Sequence, residues 1–116
     1  MIVGTFMQPV NEKPACLKSS NQGMIDLLGK SHVLELHYFL FKSGGPVRFN
    51  ELRRELSITA TTLSRRLEEF AAMGLVERKV FAEVPARVEY SLSQKGLSLG
   101  PVLRHLFTWI QENEGV

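Results

Sequence analysis

The stretch from Ile58 to Leu75 carries its own start and stop signals, and it narrows the architectures open to the chain more than any other segment. Thr59 has the side chain of an N-cap, and Ile58 just ahead of it can pack on Leu63, inside the helix, as a hydrophobic staple. At the other end Gly74 suits the left-handed C′ position, with Leu75 placed to touch Phe70 as in a Schellman ending. The spacing predicts a helix over Ala60–Met73 whose buried stripe is Leu63, Leu67 and Phe70. Beyond Gly74 the chain is β-rich. Leu75 to Phe81 reads as one strand, Val88, Tyr90 and Leu92 alternate with Arg87, Glu89 and Ser91 in a second, and Ala82 to Ala86 form the hairpin tip between them.

Ahead of the capped helix, Phe49, Leu52 and Leu56 mark one face of a short helix and leave Arg53 and Arg54 pointing elsewhere. Ser43, Gly44, Gly45 and Pro46 separate it from an apolar stretch that holds Met24, Ile25, Leu27 and Leu28 and then, beyond Gly29, Val33, Leu34, Leu36 and Tyr38 to Phe41. So crowded a stretch does not suit a one-sided helix; apolar nearly all round, it has to be buried on several sides, which in a short protein points to a partner subunit. Near the C-terminus Ser93 can cap a last helix in which Leu99, Val102, Leu103, Leu106, Trp109 and Ile110 recur at helical spacing. Pro101 either kinks that helix or marks the first turn of its main part. Residues 1–20, with Pro9 and Pro14 and no sustained periodicity, read as an arm, and 21–116 as a single domain.

At 116 residues, 44% hydrophobic and 22% charged, the chain is long enough to bury a core without staples. One cysteine, Cys16, excludes an internal disulfide and a multi-cysteine zinc site, and His32, His37 and His105 lack the spacing of a helical metal pair, so no metal or other cofactor is expected. No nucleophile with its base and no phosphate-cradling loop can be assembled, which argues against an enzyme. With no apolar run of membrane-spanning length and no signal peptide, the protein is expected in the cytoplasm. A net charge of +2 is too small to name nucleic acid as the partner, so the placement of Lys and Arg has to carry that argument.

Helix, short helix, tight turn, capped helix and two-stranded hairpin, in that order, make a winged helix-turn-helix, a mainly α fold of the α+β kind. In it the capped helix enters the major groove of duplex DNA N-terminus first, and the hairpin reaches the adjacent groove or phosphates. With Leu63, Leu67 and Phe70 inside, Thr61, Thr62 and Arg65 face outward and Ser64 lies at the edge. Arg can read guanine bidentately, and Thr offers a hydroxyl and a methyl. Arg48, Arg53, Arg54, Lys79 and Arg87 complete the candidate DNA-binding set, whereas Arg66 lies nearer the buried stripe, where a glutamate can pair with it.

Several segments also resemble the HxlR-type branch of the MarR-like winged helix transcriptional regulators: Leu27 to Lys30, Arg48 to Leu52, Arg65 to Phe70, Gly74 to Arg78 and Glu83 to Ser93. The wing segment, with Val-Pro, Arg-Val, Tyr-Ser-Leu and a following Gly96, is the most specific of them. The resemblance runs from about Met24 to Trp109. It implies a homodimer joined through its N- and C-terminal helices on a roughly palindromic operator, with Ala60, Thr61, Thr62, Ser64 and Arg65 at the start of the recognition helix and Arg87 as the basic residue of the wing. Two departures stand out. Ser31 replaces the tryptophan usual after Gly-Lys, and Cys16 lies slightly further from Gly-Lys than the redox-sensing cysteine of some members, with Leu17 instead of proline after it. Cys16 is thus either an oxidant sensor or a small apolar residue packed under the arm, and the effector, redox or small molecule, is open.

The arginines have a plainer reading as a solvated surface, since glutamates nearly balance them. Leu34, Tyr38, Phe41, Leu103, Leu106, Phe107, Trp109 and Ile110 exceed what one narrow stripe requires and are the expected dimer interface. His37 beside Tyr38 reads as a packed or interfacial histidine. The alternative to a DNA-binding regulator is a winged helix used as a protein-interaction module.

Overall fold

The computed structural model describes residues 19–114. Along the chain run α1 (Ser19–Leu28), α2 (Val33–Ser43), β1 (Val47–Arg48), α3 (Phe49–Leu56), α4 (Ala60–Ala72), β2 (Val76–Phe81), β3 (Arg87–Leu92) and α5 (Gln94–Glu114). This is the winged helix-turn-helix that the order of elements predicts. The arm and Cys16 lie outside the described residues, apart from the arm's last two positions, which begin α1.

The capped helix is built as its ends require. Thr59 Oγ1 accepts from the Thr62 amide at 3.2 Å, and Ile58 and Leu63 are both buried in the same core. At the C-terminal end Gly74 has φ 74°, the Leu75 amide donates to the Phe70 carbonyl, and the Gly74 amide donates to the Ala71 carbonyl, which is the full Schellman pattern. Lys95 adds its ammonium to the Met73 carbonyl at 2.9 Å. Leu63, Leu67 and Phe70 are the buried stripe.

The hairpin strands fall where expected, but they belong to a three-stranded sheet in the order β1-β3-β2. Val47 pairs with Tyr90 and Arg48 with Glu89, while β2 and β3 run from Val76↔Leu92 to Phe81↔Arg87. A two-residue strand has no periodicity to detect, so β1 had no sequence signature.

The crowded apolar stretch divides into α1 and α2 at Gly29 to His32, where His32 takes a left-handed conformation. On α2, Val33, Leu36, His37 and Leu40 form the stripe buried in the core. A second stripe of Leu34, Tyr38 and Phe41 is half-buried, and α5 of the same chain covers part of it. The Tyr38 and Phe107 rings lie 5.1 Å apart, and Phe41 fills the space that a side chain at Gly100 would need. An intramolecular neighbour therefore accounts for part of the all-round apolarity that pointed to a partner subunit.

Ser93 caps α5 as expected, accepting from the Gly96 amide at 3.1 Å, and Pro101 sits inside one continuous helix. Gly96 is packed so closely on the Leu75 carbonyl and on Leu92 that no side chain fits there. That approach also lets the buried His37 donate from Nε2 to the Gly96 carbonyl at 2.7 Å. Burial pulls the His37 pKa below the usual histidine value, and the bond to Gly96 opposes it.

Candidate nucleic-acid interface

The helix-turn-helix is held by two successive Schellman endings. At the end of α3, Ser57 takes φ 54°, its amide donates to the Arg54 carbonyl, and the Ile58 amide donates to the Arg53 carbonyl. This left-handed serine sets the angle between α3 and α4, and it leaves the start of α4 at the surface with Ala60, Thr61, Ser64 and Arg65 exposed and Thr62 half-buried. Glycine is the usual residue at such a position, so nothing in the sequence marked Ser57.

Arg65 and Arg66 are neighbours with opposite surroundings. Arg65 is exposed and makes no ion pair among the described residues. Arg66 turns toward the α1–α2 turn, where its guanidinium donates to the Ser31 carbonyl at 3.0 Å, to the Ser31 hydroxyl at 3.2 Å and to Glu69 at 3.0 Å. Lys30 meets the other oxygen of Glu69 at 2.6 Å. The bond from Lys30, helped by Arg66, holds the Glu69 carboxyl below the usual carboxylate range. Serine in place of a bulky residue after Lys30 adds its hydroxyl to the backbone carbonyl as a second acceptor for Arg66, which anchors α4 on the α1–α2 turn.

Arg48, at the N-cap of α3, and Arg53 and Arg54 within it are exposed and make no ion pair among the described residues. An open cleft of about 730 Å³ lies between α3, the start of α4 and the wing, and Arg48, Arg54, Ser64 and Arg78 line it together with the hairpin from Glu83 to Val88. Sequence reasoning placed Arg78 only among the surface charges. Its signal was faint: on β2 it falls in the phase of Val76 and Val80, an arginine set in an otherwise apolar alternation.

The wing differs from expectation at Arg87. Its guanidinium is 3.2 Å from Glu83 and 3.3 Å from Glu89, and it lies 3.9 Å from the centre of the Phe81 ring. Lys79 is exposed, with its ammonium 5.2 Å from the same ring.

Elsewhere on the surface, α5 presents Val102, Leu106, Trp109 and Ile110 at helical spacing, all exposed, with Trp109 at 59%. Tyr38, Phe41 and Phe107 are half-buried at the α2–α5 contact, and Leu34 on α2 is half-buried as well. Leu103 is only 3% exposed and is a core residue of its own chain, which corrects its grouping with the interface side chains. Among the described residues no His, Cys, Asp and Glu side chains cluster as a metal site would require, and no helix is long and apolar enough to cross a membrane.

The model of the HxlR-like helix-turn-helix family matches residues 27–115. An uncharacterized HTH-type transcriptional regulator of Halalkalibacterium halodurans is 41% identical over 91 residues, which span 78% of this chain and 80% of that protein. The redox regulator HypR in its reduced form superposes with a TM-score of 0.72 at 36% identity, covering 82% of this chain and 93% of HypR. The reduced transcriptional regulator YodB of Bacillus subtilis gives a TM-score of 0.69 at 30% identity, covering 82% of this chain and 92% of YodB.

Proposed function

Since the chain belongs to the HxlR-like helix-turn-helix family of transcriptional regulators, we propose that it acts as a homodimer on a roughly palindromic operator, with α4 in the major groove and the β2–β3 wing on the adjacent groove or backbone. The observation that carries this reading is the group of exposed arginines that make no ion pair among the described residues: Arg65 near the start of α4, and Arg48, Arg53 and Arg54 on and beside α3. Thr61, Ser64 and Arg65 face base edges, Ala60 and Thr62 sit where the helix meets the groove, and the α3 arginines with Lys79 meet phosphates. The apolar stripe Leu106, Trp109 and Ile110 on α5, with Leu34 and Tyr38 beside it, supports association of two copies, which would set two recognition helices about 34 Å apart or a multiple of that.

Selection of bound sequences from random duplex DNA, alongside the protein's own promoter, tests the reading. The expected result is a motif with two half-sites and an affinity that falls steeply with salt, because Lys and Arg contacts release counterions. Failure to bind any duplex at low or high salt favours a protein-interaction module instead.

HypR is known in reduced and oxidized forms, and YodB in diamide-treated and quinone-bound forms. Those are properties of HypR and YodB. They make Cys16, the single thiol, the residue to test for a redox response here. Diamide treatment of the operator complex, compared with Cys16→Ser, decides it: a redox role requires a change in affinity that the variant lacks.

A further inference from the structure

The resemblance implies that Arg87 is the wing's contact to DNA, yet its surroundings in the fold are those of a structural brace. The guanidinium is engaged on two sides by carboxylates, Glu83 at 3.2 Å and Glu89 at 3.3 Å, and it lies 3.9 Å from the centre of the Phe81 ring. These partners tie the whole hairpin together: Phe81 and Arg87 are the last directly opposed pair before the tip, Glu89 is further down β3, and Glu83 is in the tip itself. The Arg87 side chain is only 25% exposed, its buried Nε makes no hydrogen bond although Glu89 lies 3.3 Å away, and the two carboxylates hold the guanidinium as charge pairs that already offset its charge. Arg65, by contrast, is exposed and has no such partner among the described residues.

We propose that Arg87 is a positioning residue of the wing: clamped between Glu83 and Glu89 over Phe81, it fixes the hairpin tip Ala82 to Ala86 in one conformation and does not itself neutralise a phosphate. Val84, fully exposed at that tip, is the side chain so presented. The inference rests on the DNA-binding reading for its consequence, although the brace itself exists in the free protein. Arginine suits the position because its delocalised charge lies near two carboxylates, from Nη2 and Nε, while the guanidinium sits over a ring; the strongly hydrated point charge of lysine does this less well.

The test uses the full-length chain as Arg87→Ala, Arg87→Lys and the double variant Glu83→Gln/Glu89→Gln, each checked for a cooperative melt. In the free protein, hydrogen exchange of the backbone amides from Phe81 to Glu89 should quicken about tenfold in all of them, with the amides of α4 unchanged. On a duplex obtained by selection, each variant should bind roughly tenfold more weakly, with the parental dependence on salt. The sign for the glutamine variant is diagnostic, since removing two negative charges near DNA strengthens binding unless the carboxylates hold the wing. Lysine that restores parental affinity where alanine does not, with the logarithmic salt slope of Arg87→Ala smaller by about 0.9, identifies a phosphate contact and overturns the proposal. Unchanged exchange in the hairpin overturns it as well, and that arm decides even if the parent binds no duplex, an outcome that defeats the DNA-binding reading separately.

Discussion

The two exposed faces of the molecule are made of different material. Around the start of α4 and along α3 stand exposed hydroxyls and arginines that make no ion pair among the described residues, alongside Glu51 and Glu55 of α3, whereas α5 exposes Val102, Leu106, Trp109 and Ile110. None of these exposed side chains belongs to the core, which is built from Leu27 of α1, the inner stripe of α2, Leu52 of α3, the α4 stripe and the inner side of the sheet. Cations left without counterions suit an anionic surface that supplies the missing charge, and apolar side chains left uncovered suit a surface like their own. The contrast recurs within a single turn of α4, where Arg65 makes no ion pair among the described residues and Arg66 is held by Ser31 and Glu69.

The largest effect should come from the apolar face. Trp109→Asp places a charge at its most exposed aromatic position and should weaken self-association by about 2 to 4 kcal/mol, with little change in the fold of each subunit. Sedimentation and thermal melting read the two quantities separately; a variant that stays associated breaks the division between the faces.

Arg65 and Arg66 sharpen the comparison from the other side. Arg65→Ala should cost about 1 to 3 kcal/mol of DNA binding and leave the melting temperature near parental. Arg66→Ala should destabilise the fold by about 1 to 2 kcal/mol, because it removes the donor that Arg66 supplies to the Ser31 carbonyl and to Glu69. Equal effects of the two on both quantities would erase the distinction between them.

Much of this was legible in the sequence, and what was legible is local. Thr59, Ile58, Gly74 and Leu75 define α4 because each makes its interaction within a few residues of itself, and Ser93 announces α5 in the same way. What escaped depends on residues far apart in the chain. Covering of α2 by α5 needs Gly100 to meet Phe41, β1 exists only because Tyr90 and Glu89 are there to pair with it, and the core position of Leu103 follows from that packing. Ser57 and His32 are local but adopt the left-handed region without the glycine that would have signalled it. The candidate DNA-binding side chains were legible as types and helical phases; which of them are already neutralised, Arg87 and Arg66 above all, was not.

His37 couples α2 to α5 beneath both faces and gives a smaller, pH-dependent effect. The unfolded chain takes up a proton near the ordinary histidine value of 6.5, while the buried imidazole in the folded state resists protonation until lower pH. Its contribution is therefore fully present above that value and is lost as the pH falls from there through the lowered folded pKa. Parental stability should decline as the pH falls below about 6.5, and His37→Gln should flatten the decline. The smallest effect expected is at Ser57, where Ser57→Gly relieves the left-handed backbone and should raise stability by about 0.5 kcal/mol, the greater freedom of glycine in the unfolded chain offsetting part of the gain.

The central claim, that a symmetric pair of α4 helices reads DNA through Arg65, is tested most directly by repeating the selection from random duplex DNA with Arg65→Ala beside the parent. The account predicts the same two half-sites at the same spacing, with base preference relaxed at one symmetry-related position in each. An unchanged motif, or a parental motif with a single unrepeated half-site, would contradict it.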